Sequence, residues 1–336
     1  MQSHYLRPLC HCSPNDMLLV IESPSYCLLI IKSPGRTRLP YCLSGKIYLL
    51  PSSNLWLCDS PSVLGILQRR KDTMDPCLKL HYPSHEADVR IMLQDYFSQY
   101  VPYSVFKEST MNMLRCFYQV FSSGLVSGKT LIDISLGPII IQLLSVCEFF
   151  EEISILKCGD ASIKELELWK NKDPEAFDWT HTSKLFMEIK GASRDGWQDA
   201  EEMLRRKMKH LVKCDFTKTN PTNPFALPRA DCVTCVWGLE MISRDHEEYR
   251  ITLRKISNMI KLGGHILIYT DINASYFIVG QDKYHLLNCD DSFLRKTLTD
   301  EGFAIVHYEN MEREACTDRL DHEQKAFIVA CKVMET

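Results

Sequence analysis

The stretch Thr130-Leu131-Ile132-Asp133-Ile134-Ser135-Leu136-Gly137-Pro138 decides the fold. Its β-branched and apolar residues through Ile134 read as a short strand. Ser135 to Pro138 reads as a turn, and residues 140–149 as a helix. The same alternation continues downstream. Further strands are expected at 152–156, 212–216, 231–236, 264–270, 303–308 and 326–332. The helices between them are expected at 162–169, 198–210, 247–261 and 290–301. Asp160 and Ser162 are candidate caps for the helix at 162, and Gly302 follows the last helix. Alternating strands and helices predict a parallel sheet covered on both faces. The last two strands are joined only by residues 309–325, so they should pair antiparallel. The fold class is therefore α/β, a seven-stranded doubly wound mixed sheet with an antiparallel C-terminal hairpin. In such a sheet ligands collect at the carboxyl ends of the strands, here residues 133–138, 157–160, 215–217 and the segment after Val236.

Composition sets outer bounds. The 336 residues are 45% hydrophobic and 24% charged, with a formal net charge of −4. That is an ordinary globular balance and excludes a collagen or a wholly disordered chain. A mildly acidic chain lacks the concentrated basic face that nucleic acid requires. No apolar run reaches the roughly 18–20 residues of a membrane span. No secretory signal is present, so a cytoplasmic monomer with mostly buried, reduced thiols is expected for the 15 cysteines. Cys232 with Cys235, and Cys10-His11-Cys12, have metal-ligand spacing without a second ligand pair, so no metal site is expected.

A border falls near residue 75. Residues 1–75 are proline-rich and carry a net +3 against −7 for the rest. Such frequent prolines exclude long helices and interrupt strands. Residues 1–75 are read as an irregular extension, disordered or outside the native protein, with Met74 as an alternative start; residues 76–336 form the α/β domain.

Within that domain the 131–138 turn is accompanied by Ile141-Gln142-Leu143-Leu144, Glu165-Leu166-Glu167-Leu168-Trp169, Asp173-Pro174-Glu175-Ala176-Phe177-Asp178-Trp179, Lys213-Cys214-Asp215 and Lys261-Leu262-Gly263-Gly264. Together these resemble the nicotinamide, indolethylamine and phenylethanolamine N-methyltransferase family, with the nicotinamide branch nearest. The resemblance runs from about Gln94 to Lys332. It implies the class I methyltransferase fold, S-adenosylmethionine as cofactor, and a small amine or pyridine as acceptor. By position it implies cofactor contacts at Tyr96, Val101, Ser135, Leu136, Gly137, Ile141, Lys157, Ser162, Asp215, Phe216 and Val236. Acceptor contacts would fall at Thr270 or Asp271.

Several of these are not the residue types the family uses. Ser135-Leu136-Gly137 replaces Gly-Ser-Gly, and Lys157 stands where an aspartate accepts the ribose hydroxyls. Ile141 and Ser162 replace a tyrosine and an asparagine, whereas Asp215 is retained and is expected to take the adenine amino group. Three or four lost hydrogen bonds correspond to about 3–6 kcal/mol of cofactor affinity. The alternative reading is thus a catalytically impaired member of the family. A neutral pyridine nitrogen needs no general base, whereas an aliphatic amine needs a carboxylate, for which Asp271 and Glu240 are the nearest candidates. The cofactor reading requires a cavity bordered by the 135–137 turn and by Asp215.

Overall fold

The computed structural model describes residues 4–5, 17–23, 26–32, 47–49, 56–58 and 79–335, apart from 83, 101–104 and 314–316. The chain divides into two units, Met1–Leu78 and Lys79–Thr336. In the first, the apolar runs Met17–Ser23 and Tyr26–Lys32 pair antiparallel, and His4–Tyr5 joins their sheet. Ile47–Leu49 pairs with Trp56–Cys58. These pairings fall within the stretch read from the sequence as an irregular extension. Met74 and the Cys10-His11-Cys12 donors lie outside the described residues.

The second unit opens with two helices, α1 (Val89–Phe97) and α2 (Val105–Ser122). Asp88 caps α1 by accepting from the amides of Arg90 and Ile91 at 2.9 and 3.0 Å. Then come β1 (Thr130–Asp133), α3 (Ile141–Val146), β2 (Glu152–Lys157), α4 (Asp160–Lys170), α5 (Thr180–Ile189), α6 (Trp197–Lys207), β3 (Met208–Lys213) and β4 (Ala230–Val236). The chain continues through α7 (Leu239–Ile242), α8 (His246–Ser257), β5 (Ile260–Ile272), β6 (Tyr276–Val279), β7 (Asp282–His285), α9 (Asp291–Asp300), β8 (Phe303–Glu312) and β9 (Gln324–Lys332).

Seven strands form one sheet in the order β3-β2-β1-β4-β5-β9-β8. β1 to β5 are mutually parallel, and β9 runs antiparallel to both its neighbours. This is the doubly wound mixed sheet with a terminal hairpin. Strand residues alternate between two cores. Leu131, Ile153, Cys232, Leu267 and Phe327 pack with α1, α2 and α3, while Ile132, Val233, Ile268 and Ile328 pack with α8 and α9.

Two expectations shift. The third strand is Met208–Lys213, not 212–216, because α6 ends at Lys207 and the strand follows with no loop. Neither Asp160 nor Ser162 caps α4. Instead the Glu86 carboxylate, distant in sequence, accepts from the amides of Ala161 (3.2 Å) and Ser162 (3.1 Å) and from Ser162 Oγ (3.1 Å). Gly159 permits this, since a Cβ there would collide with that carboxylate. The hairpin β6–β7, unread in the sequence, joins Tyr82, Met92 and Met241 in a third small core beside the strand ends.

Candidate active site at the carboxyl ends of the strands

Asp133, the last residue of β1, is the hub of the site. Its side chain is fully buried, and Oδ1 accepts from Ser135 Oγ (2.7 Å), Thr234 Oγ1 (2.9 Å) and Gln142 Nε2 (3.0 Å). Oδ2 is paired with Lys157 Nζ at 3.1 Å, and the same ammonium donates to the Ser135 carbonyl at 2.6 Å. Lys157 therefore turns inward beneath the 135–137 turn and is 2% exposed. An ammonium so placed requires these partners, because burying an unpaired charge costs several kcal/mol. Ser135 Oγ also accepts from the Val236 amide at 3.1 Å, tying the β1 turn to the end of β4.

Above this hub lies a cavity of about 20 Å³, lined by Ser135, Leu136, Gly137, Lys157, Cys158 and Ser162, with Tyr82, Trp237 and Met241 closing it. That is room for about one water. Five of the residues expected on the cofactor thus share one wall. A second cavity of about 40 Å³ adjoins it and has Tyr96, Phe97, Phe277, Leu320, Asp271 and Lys325 in its lining. Leu136, Trp237 and Met241 line both, so they form the partition between them. Trp237 holds a positive φ of 50°, and its indole nitrogen is buried without a hydrogen-bond partner. Backbone strain of that kind persists where packing enforces it.

The remaining expected cofactor residues are elsewhere. Ile141 is fully buried in the core with α2 and α3, and Val236 contributes its amide rather than its side chain. Asp215 lies beyond the end of β3 and borders a different groove, with Lys213, Lys218 and Phe225. Its Oδ1 accepts from the amide (3.0 Å) and hydroxyl (2.6 Å) of Thr217, and these bonds hold the carboxyl below its usual range. Phe216 packs against the α8–α9 core. Neither the cavity above Asp133 nor the groove beside Asp215 is bordered by both the 135–137 turn and Asp215. Val101 lies outside the described residues.

On the acceptor side, β5 continues through residue 272, so Thr270 and Asp271 face opposite ways. Thr270 Oγ1 donates to Glu240 Oε1 at 2.7 Å, away from both cavities. Burial pushes the Glu240 carboxyl up to about 7. Asp271 instead lines the second cavity, ion-paired with Lys325 from β9, and both are almost fully buried. Lys325 stands 5.6 Å from the Trp237 ring centroid. His322, pushed down to about 4 by burial, is neutral at pH 7. Tyr96 closes the far wall by donating to the Ile278 carbonyl at 2.6 Å. Of the two acceptor-side candidates, Asp271 lines the second cavity and Thr270 does not. Sequence reasoning missed Tyr82, Glu86, Met92 and Lys325, which reach the strand ends from distant elements. Trp237 was signalled only as the residue following Val236.

The NNMT/PNMT/TEMT family profile matches residues 82–333. This chain belongs to the NNMT/PNMT/TEMT family. Indolethylamine N-methyltransferase of Mus musculus is 30% identical over 262 residues, covering 76% of this chain and 97% of that protein. Nicotinamide N-methyltransferase of Homo sapiens is 31% identical over 252 residues, covering 75% and 95% respectively. Phenylethanolamine N-methyltransferase of Mus musculus is 34% identical over 228 residues, covering 66% and 76%.

Membership in the NNMT/PNMT/TEMT family implies S-adenosylmethionine. In the arrangement described, the lining does not fit its adenosyl group. Lys157 offers no acceptor to a ribose, and two of its three ammonium hydrogens are taken by Asp133 and Ser135. The cradle over Gly137, which has a φ of 50°, is filled by the Met92 methyl, so that even a Cβ would collide with it. In this arrangement the wall at the 135–137 turn is occupied by Lys157 and by the flexible end of Met92. No described helix is long and apolar enough to cross a membrane.

Proposed function

We propose that this chain transfers a methyl group from S-adenosylmethionine to a nitrogen of a small amine or pyridine, with a nucleoside edge that must open before the cofactor enters. The observation that carries the reading is the apolar second cavity. It abuts the 135–137 turn across a three-residue partition, in a chain matching the family over residues 82–333.

The chain's own residues supply positioning and dryness. Phe97, Trp237 and Phe277 give flat apolar walls against which a planar acceptor would lie once this cavity, of about 40 Å³, also widens, and Tyr96 ties them to β6. The Asp271–Lys325 pair is the polar end of the cavity. Its carboxylate orients an N–H of the acceptor, and its ammonium a carbonyl oxygen. A neutral pyridine nitrogen has no proton to lose, so orientation and exclusion of water are the contributions required of the protein. Glu240, turned toward Thr270, does not serve as a base in this cavity.

The alternative, a family member impaired in cofactor binding, would follow if Lys157 stays locked on Asp133 when cofactor is offered. One experiment separates the two. The full chain is incubated with S-adenosylmethionine and a panel of pyridines and aromatic amines, and S-adenosylhomocysteine and methylated acceptor are followed by mass spectrometry. Stoichiometric formation of both supports the first reading. Absence of both at millimolar cofactor, in folded protein, supports the second.

A further inference from the structure

Cys158 and Cys214 each follow immediately on a strand end, β2 and β3 respectively. Lys157 and Lys213 are register partners, and the Cys214 amide donates to the Lys157 carbonyl at 2.9 Å. The two cysteines therefore face each other across neighbouring parallel strands. Such strands lie about 4.8 Å apart, which falls within the Cα separations that a disulfide spans. Their sulfurs are already 3.7 Å apart. Both side chains turn to the α8–α9 core side of the sheet. Cys158 also lines the first cavity and is only partly buried, whereas Cys214 is buried behind it.

We propose that Cys158 and Cys214 are a redox-active dithiol, a modification site at the nucleoside edge that a hydroperoxide oxidises to an intramolecular disulfide. Cys158 is the attacking thiol because it faces the cavity. Its thiolate attacks the terminal peroxide oxygen and the O–O bond breaks. The departing alkoxide or hydroxide takes a proton, leaving Cys158 as a sulfenic acid. Cys214 then attacks the Cys158 sulfur, the S–O bond breaks, and the hydroxide leaves as water with the Cys214 proton. Two thiols lose two electrons, and the peroxide is reduced to an alcohol (or water) plus water. A small thiol reductant reverses the bond.

Electrostatics favour Cys158 as the attacking thiol over the fully buried thiols. The Cys214 hydrogen bond holds Cys158 below the ordinary thiol range, although burial opposes it. Burial, with the neighbouring Asp231 charge, raises Cys232, and burial is the main cause that pushes Cys116 and Cys147 up to about 12. A lower pKa means more thiolate, the reactive form. The bond would tie the ends of β2 and β3 together directly beside Lys157.

The test is peroxide titration of the reduced full chain, followed by alkylation and peptide mapping. The expected result is a Cys158–Cys214 cross-linked peptide at doses that leave Cys232 and Cys235 alkylated, reversed by dithiothreitol. In Cys214→Ser, Cys158 should instead be trapped by dimedone as sulfenic acid. Recovery of Cys158 as a free thiol while other cysteines oxidise, or its linkage to a different cysteine, overturns the proposal.

Discussion

Replacing Lys157 by methionine removes the ammonium while keeping most of the side-chain volume. The effect can be worked from the partners of Asp133. Oδ1 keeps its three neutral donors, but Oδ2 is left with only the Ser135 amide at 3.4 Å. Breaking a buried ion pair by deleting one partner costs about 3–5 kcal/mol. The surviving donors place Lys157→Met at the lower end, about 3 kcal/mol. For a domain of this size that lowers Tm by about 6–12 °C. Adding Asp133→Asn removes the stranded charge, so the double variant should regain at least half of the loss. Urea unfolding at pH 7, followed by tryptophan fluorescence, reads both. A Lys157→Met variant within about 0.5 kcal/mol of the wild type would refute the reasoning, because such a value belongs to an exposed lysine. The ammonium would then be free to leave the 135–137 turn, and the nucleoside edge would not be closed by it.

Glu240 makes a pH-dependent prediction. Its carboxyl is raised from 4.5 to about 7 by burial, so the folded state binds its proton more tightly than the unfolded state. Wild-type stability is therefore lost as pH rises from about 4.5 to 7, and Glu240→Gln, which lacks this slope, should gain about 2–4 kcal/mol on the wild type across that window. Parallel denaturation curves for the two proteins between pH 4.5 and 8 would contradict the burial. Asp271→Asn strands the Lys325 ammonium and should cost about 3–5 kcal/mol, with Lys325→Met restoring much of it; thermal melts of the single and double variants check this. Glu86→Ala removes the acceptor at the start of α4 and should cost about 1–2 kcal/mol, read by urea unfolding.

The sheet was legible because its strands are short β-branched runs bounded by Gly, Pro and Asp, a local signal. Thr130–Asp133, Glu152–Lys157 and Ala230–Val236 lie where that signal put them. Met208–Lys213 does not, because helix and strand meet there with no intervening turn residue. The loop residues Ser135, Leu136 and Gly137 were legible because strand ends gather ligands in this topology. The direction of Lys157 was not, since identity alone does not say whether a lysine reaches solvent or Asp133. Met92 and Lys325 come from a helix and a strand far away in sequence, and only packing shows that they meet Gly137 and Asp271. Asp271 rather than Thr270 faces the second cavity because β5 keeps its alternation to the last residue.

Calorimetric titration of the folded full chain with S-adenosylhomocysteine tests the central claim most directly. Saturable binding with Kd weaker than about 100 μM is predicted, the loss expected where a buried lysine replaces a ribose acceptor. Absence of saturable heat at millimolar ligand contradicts the methyltransferase reading, and low-micromolar binding contradicts closure by Lys157.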